Sequence, residues 1–115
     1  MNKNEARLYD AFLSLKDRKE VACFARDLMT AAEIKEFTNR LKAAGMLKVG
    51  ESYSKIEKET GLSSRTVARV AQWLNDGKGG YDLVLDRLGT LQTWGSVLRG
   101  KVQEVNNKKN RNEKG

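Results

Sequence analysis

The chain contains no proline and no histidine, and cysteine occurs once, at Cys23. Without proline, nothing in the sequence forbids helix from one end to the other. Without histidine, the commonest general base and the commonest zinc ligand are missing, and a single thiol forms no intramolecular disulfide, which fits reducing, cytoplasmic surroundings. Aromatic residues make up 7% of the 115 residues. No run approaches the ~20 consecutive apolar residues that a membrane-spanning helix requires, and Met1-Asn2-Lys3-Asn4 leads straight into charged, amphipathic sequence instead of an apolar targeting core. Tyr9, Tyr53, Tyr81, Cys23 and the scattered carboxylates form no nucleophile and base pair at motif spacing, and no glycine-rich phosphate loop follows a strand. Neither an enzyme nor a bound cofactor or metal is expected.

Positive charge, by contrast, is plentiful. Lys and Arg number 22 against 15 Asp and Glu, a net +7 that points to a polyanionic partner, nucleic acid ahead of a membrane surface. Arg99, Lys101, Lys108, Lys109, Arg111 and Lys114 crowd the C-terminus against only Glu104 and Glu113. The core of that stretch, Asn106 to Asn112, has nothing apolar to bury, so 99–115 is expected to be a disordered basic tail behind a folded region of 4–98.

Within that region the apolar residues keep a helical beat. Leu8, Ala11, Phe12 and Leu15 mark a first helix, and Val21, Phe24, Ala25 and Leu28 a second. Asp17 with Glu20, and Thr30 with Glu33, have capping-box spacing, which predicts helices opening at Arg18 and at Ala31, the latter running to Lys48 before Gly50. This third helix carries more apolar surface than one stripe: Ile34, Phe37, Leu41 and Ala44 line one side while Ala43, Met46 and Leu47 widen it. Such a helix needs covering from several directions, by its own bundle or by a second chain.

After Gly50 the rhythm shortens. Tyr53 to Thr60, a turn at Gly61-Leu62, and a helix from Ser64 to about Asn75 capped by Ser63 read as a helix-turn-helix over about 53–75. Ile56, Leu62, Val67 and Val70 are its expected small core, with Gly61 supplying the positive φ of the turn and Glu57 at the edge of the pair. Gly77 to Gly80 breaks the chain. A sixth helix restarts near Tyr81 with Val84, Leu85 and Leu88 on one face, and Leu91, Trp94, Val97 and Leu98 extend the apolar pattern past a break at Gly89.

Opposite the core side of the second helix of the pair lie Arg65, Ala68, Arg69 and Gln72, with Ser63, Ser64 and Thr66 at its N-terminal end and no acidic residue among them. Arg forks onto guanine edges, Gln onto adenine, Ala meets a thymine methyl, and hydroxyls at a helix N-terminus suit phosphate. Tyr53, Ser54 and Lys55 open the preceding helix, where backbone phosphates lie in such motifs. The expected partner is double-stranded DNA. A protein-interaction or non-specific RNA-binding module driven by the basic tail is the alternative, separated by whether affinity depends on sequence.

Leu28-Met29-Thr30-Ala31-Ala32-Glu33-Ile34, Asn39-Arg40-Leu41, the run from Tyr53 to Ser63, Thr66-Val67-Ala68-Arg69-Val70 and Gly80 to Leu88 together resemble the Trp-repressor-like family, in its YerC/YecD-type branch of small bacterial regulators. The resemblance spans Leu8 to Leu88. It implies an all-α fold of six helices, an interlaced homodimer with a projecting helix-turn-helix, transcriptional regulation and a near-palindromic operator. Thr30, Arg40 and Arg69 fall where the family's tryptophan pocket has its threonine and two arginines. Val70 and Trp73 stand where that pocket needs a glycine and a small hydroxyl residue. The expectation is that both plug the cavity and exclude free tryptophan, that Thr30 is a cap, and that any other small-molecule effector stays open.

Overall fold

The computed structural model describes residues 1–89, which form six helices and no strand: α1 (Lys3–Leu13), α2 (Arg18–Leu28), α3 (Ala31–Lys48), α4 (Tyr53–Thr60), α5 (Ser64–Asp76) and α6 (Gly80–Leu88). Leu91, Trp94, Val97, Leu98 and the basic stretch from Arg99 lie outside the described residues. The helix starts follow the local chemistry. Asp17 accepts from the Glu20 N–H at 2.9 Å, and Glu20 reaches back to the Lys16 N–H. Thr30 and Glu33 exchange reciprocal bonds of 3.0 and 2.9 Å, a complete capping box. Asn2 and Glu5 form another at the start of α1. At the other end of α3 the Gly50 N–H bonds the Leu47 carbonyl and the Glu51 N–H the Met46 carbonyl, the paired bonds of a Schellman stop.

The chain divides into two compact units, with the boundary inside α3 between Phe37 and Thr38. The first holds α1, α2 and the opening of α3, and none of its residues is buried. Phe12 and Phe24 meet edge to face with ring centroids 5.3 Å apart, while Leu8, Leu13, Val21, Leu28 and Phe37 stay exposed. Cys23 is also exposed.

The second unit contains the core. Ala43, Ala44, Gly45 and Met46 bury a full turn of α3, and Ile56, Leu62, Val67, Val70 and Leu85 complete the cluster. Full burial stabilises a side chain the size of Ile56 or Leu85 by about 1.5–3 kcal/mol. Lys48, in the last turn of α3, hydrogen-bonds the Asp82 carboxylate and lies 3.6 Å from that of Asp86, both on α6. The cation sits at a helix C-terminus and Asp82 in a helix first turn, so each end also complements its helix dipole. The Asp82 hydrogen bond holds the Lys48 ammonium above its ordinary pKa. No helix among the described residues is long and apolar enough to cross a membrane.

Candidate nucleic-acid interface

The turn between α4 and α5 is built from local hydrogen bonds over the small core. Ser52 caps α4 by accepting from the Lys55 N–H at 3.2 Å, and Ser63 caps α5 by accepting from the Thr66 N–H at 3.1 Å. Between them Gly61 takes φ 76°, the left-handed conformation the turn requires, and donates its N–H to the Glu57 carbonyl. Thr60, only 8% exposed, fills a role that its sequence position did not reveal. Its hydroxyl donates to the Ile56 carbonyl at 2.7 Å and accepts from the Leu62 N–H at 3.1 Å. Beneath the turn Ile56, Leu62, Val67 and Val70 are all buried, as expected from their spacing, and Glu57 is half-buried at the edge of the pair. Lys42 on α3 reaches the Glu59 carbonyl in the last turn of α4 at 3.5 Å.

With about 100° of rotation per residue, Val67 and Val70 centre the buried stripe of α5, and Arg65, Arg69 and Gln72 cluster within about 60° of one another on the opposite side. All three are exposed, and so is Ala68. Neither Arg65 nor Arg69 has an ion-pair partner among the described residues. Ser63 and Ser64 are exposed at the N-terminus of α5; Thr66 is half-buried with its hydroxyl bonded to that of Ser63. Tyr53, Ser54 and Lys55 are exposed at the start of α4, and Lys55 pairs with Glu51 at 3.3 Å. All ten predicted residues thus lie on α4, on α5 or at the cap of α5, within one unit: Tyr53, Ser54 and Lys55 in the first turn of α4, Ser63 to Thr66 at the start of α5, and Ala68, Arg69 and Gln72 along its middle.

Trp73 departs from expectation. Val70 is 2% exposed and belongs to the core, but Trp73 is 55% exposed and is no buried filler. It forms one wall of an open apolar hollow of about 420 Å³, with Leu41, Gly80, Tyr81 and Val84 on the neighbouring helices and Gly77 and Lys78 along the intervening loop. Gly77 is needed there for proximity: a Cβ on it would stand 2.3 Å from the Trp73 carbonyl oxygen. Thr30 serves as the cap predicted for it, and Arg40 is half-buried.

Two capped helices set across a left-handed glycine turn, with a buried face between them and a polar one outside, define a helix-turn-helix protein. The model of the Trp repressor protein family matches residues 3–89. The uncharacterized protein YerC of Bacillus subtilis is 44% identical over 87 residues, 76% of this chain and 84% of that protein. Two crystal structures share the all-α fold. A candidate Trp repressor from Staphylococcus aureus matches with a TM-score of 0.75 and 38% identity over 78% of this chain and 90% of that one. A TrpR-like protein from Eubacterium eligens matches with a TM-score of 0.76 and 40% identity over 78% and 93%. The chain belongs to the Trp repressor family, whose members are regulatory proteins and not enzymes.

Proposed function

We propose that the chain is a sequence-specific, DNA-binding transcriptional regulator acting in the cytoplasm as an interlaced homodimer. One observation carries the reading: an exposed stripe of Arg65, Ala68, Arg69 and Gln72, free of acidic residues, on a helix locked by a buried helix-turn-helix core. In this reading α5 enters the major groove, Arg65, Arg69 and Gln72 meet base edges, and Ala68 meets a thymine methyl. Tyr53, Ser54, Lys55, Ser63, Ser64 and Thr66 meet backbone phosphates, Lys55 exchanging Glu51 for phosphate on binding. The dimer rests on the apolar residues that the single chain leaves uncovered, Leu8, Val21, Leu28 and Phe37 among them. A dyad places the two reading helices roughly 34 Å apart, which calls for a near-palindromic site. The DNA-binding domain covers 4–98 and the basic tail 99–115.

Selection of bound duplexes from a random pool at about 0.15 M salt tests the proposal. A palindromic motif is expected. Binding without any motif would transfer the function to the tail, with RNA or protein as its partner. Arg69→Ala should cost about 1–3 kcal/mol on the selected site and much less on random duplex, while removal of 101–115 should weaken both alike and flatten the salt dependence. If tail removal abolishes discrimination and Arg69→Ala leaves it intact, the helix-turn-helix is not the reader.

A further inference from the structure

The side of α5 that carries Arg65, Arg69 and Gln72 does not end with them. Asp76, the last residue of the helix, follows Arg65 by about three full turns and so falls within about 20° of both arginines around the axis. It is exposed and has no ion-pair partner among the described residues. The fold gives the charge no use: the last turn of α5 holds no basic residue, and the C-terminal end of a helix dipole disfavours an anion. The exposed line is thus cationic over its first half and anionic at its end.

We infer that Asp76 is a specificity-determining residue: its carboxylate repels the phosphates of duplexes that lack the preferred site, and so widens the gap between specific and random binding. This rests on the DNA reading proposed above and adds a repulsive element to it. A recognition helix meets base edges with its N-terminal residues. When Arg65, Arg69 and Gln72 hold those edges, α5 is tipped with its N-terminal end down. Asp76, about 17 Å behind Arg65 along the axis on a groove about 8.5 Å deep, is then lifted clear of the backbone. On a random duplex no base bond holds that tilt. Attraction to phosphate draws α5 flat along the backbone, and Asp76, on the same side as the arginines, comes within the ~8 Å over which exposed charges act at about 0.15 M salt. The repulsion falls on the wrong sequences and spares the right one.

Affinities for the selected site and for random duplex are measured at about 0.15 M salt for the native chain, Asp76→Asn, Asp76→Glu and Arg69→Ala. Asp76→Asn should raise random-duplex affinity about threefold and selected-site affinity by less than about 1.5-fold, with a steeper salt dependence on random duplex alone. Asp76→Glu keeps the charge and should bind as the native chain does; a gain equal to that of Asp76→Asn overturns the inference, because charge would not be the cause. An equal gain by Asp76→Asn on both duplexes overturns it too, since the carboxylate would then oppose DNA without discriminating. A loss confined to the selected site also overturns it and makes Asp76 a base contact, of the kind a carboxylate offers cytosine. Urea denaturation checks for a structural role. With an unfavourable charge taken from the helix end the midpoint of Asp76→Asn should not fall, and a lower midpoint counts against the inference. Arg69→Ala separates the inference from the reading beneath it. If Arg69→Ala weakens the selected site while Asp76→Asn leaves the specificity ratio unchanged, the reading stands and the inference fails. If Arg69→Ala spares the selected site, the reading fails and the inference falls with it.

Discussion

Gly61 and Gly77 terminate the two helices of the helix-turn-helix, α4 and α5, and alanine should destabilise each for a different reason. At Gly61 φ is 76° and an added Cβ finds nothing within 4 Å, so the cost is purely conformational. A left-handed L-residue costs roughly 1–2 kcal/mol, of which about 0.4–1 is offset by the reduced freedom of the unfolded chain. The net loss for Gly61→Ala is therefore about 1 kcal/mol, and Gly61→Asn should recover part of it because Asn tolerates that conformation. At Gly77 φ is −82°, open to any residue, but the Cβ would lie 2.3 Å from the Trp73 carbonyl oxygen. That oxygen is backbone, held by the Gly77 N–H at 2.9 Å, so relief requires opening the end of α5. Overpacking of this kind costs about 1–3 kcal/mol, and Asn offers no rescue because it carries the same Cβ. Urea denaturation at one fixed protein concentration measures both series. A neutral Gly77→Ala, or a Gly61→Asn no better than Gly61→Ala, would refute the division into strain at one glycine and overlap at the other.

If assembly covers the exposed apolar residues of α1 and α2, the thermal midpoint rises with protein concentration; a constant midpoint with a monomer mass in sedimentation contradicts it. Free tryptophan should not alter duplex binding, since Val70 occupies core where the family's pocket needs bare backbone; micromolar binding in a calorimeter would overturn this. Lys48 has its pKa raised by Asp82, so the folded state binds its proton more tightly than the unfolded chain does. The contribution is complete below the ordinary lysine pKa and is lost as pH climbs through the raised value. Lys48→Gln should therefore flatten the alkaline limb of the stability profile and leave the neutral range comparatively level, and an unchanged alkaline limb would contradict the pairing.

Most of the fold was legible because short-range chemistry sets its boundaries. Asp17, Thr30 and Ser63 announce their helices through hydrogen bonds that span three residues, and Gly50 and Gly61 announce stops, so the elements could be placed to within a residue or so. The exposed stripe of α5 was legible for a related reason: exposure opposite a buried face follows from the period of one helix. Trp73 was not legible. It sits three residues after Val70 and six after Val67, about 120° from the latter, on the border of the stripe where neither periodicity nor size decides burial. What decides it is which side chains of α3 and α6 lie alongside, and that depends on long-range packing. The pairing of Lys48 with Asp82, 34 residues apart, escaped for the same reason.

Thr60 has a practical consequence for anyone mapping this surface by mutation. A single oxygen there closes both sides of the turn, giving its proton to Ile56 and taking one from Leu62, so the position requires donor and acceptor on the same atom. Valine keeps the shape and strands a buried N–H, at a cost of about 1–3 kcal/mol; serine keeps the oxygen and empties the space of a methyl. If Arg65 and Arg69 meet DNA as proposed, a screen for variants that no longer bind it would return this residue beside them, although its side chain faces the interior. Separating such hits from true contacts calls for a stability measurement on every variant before any residue is assigned to the groove.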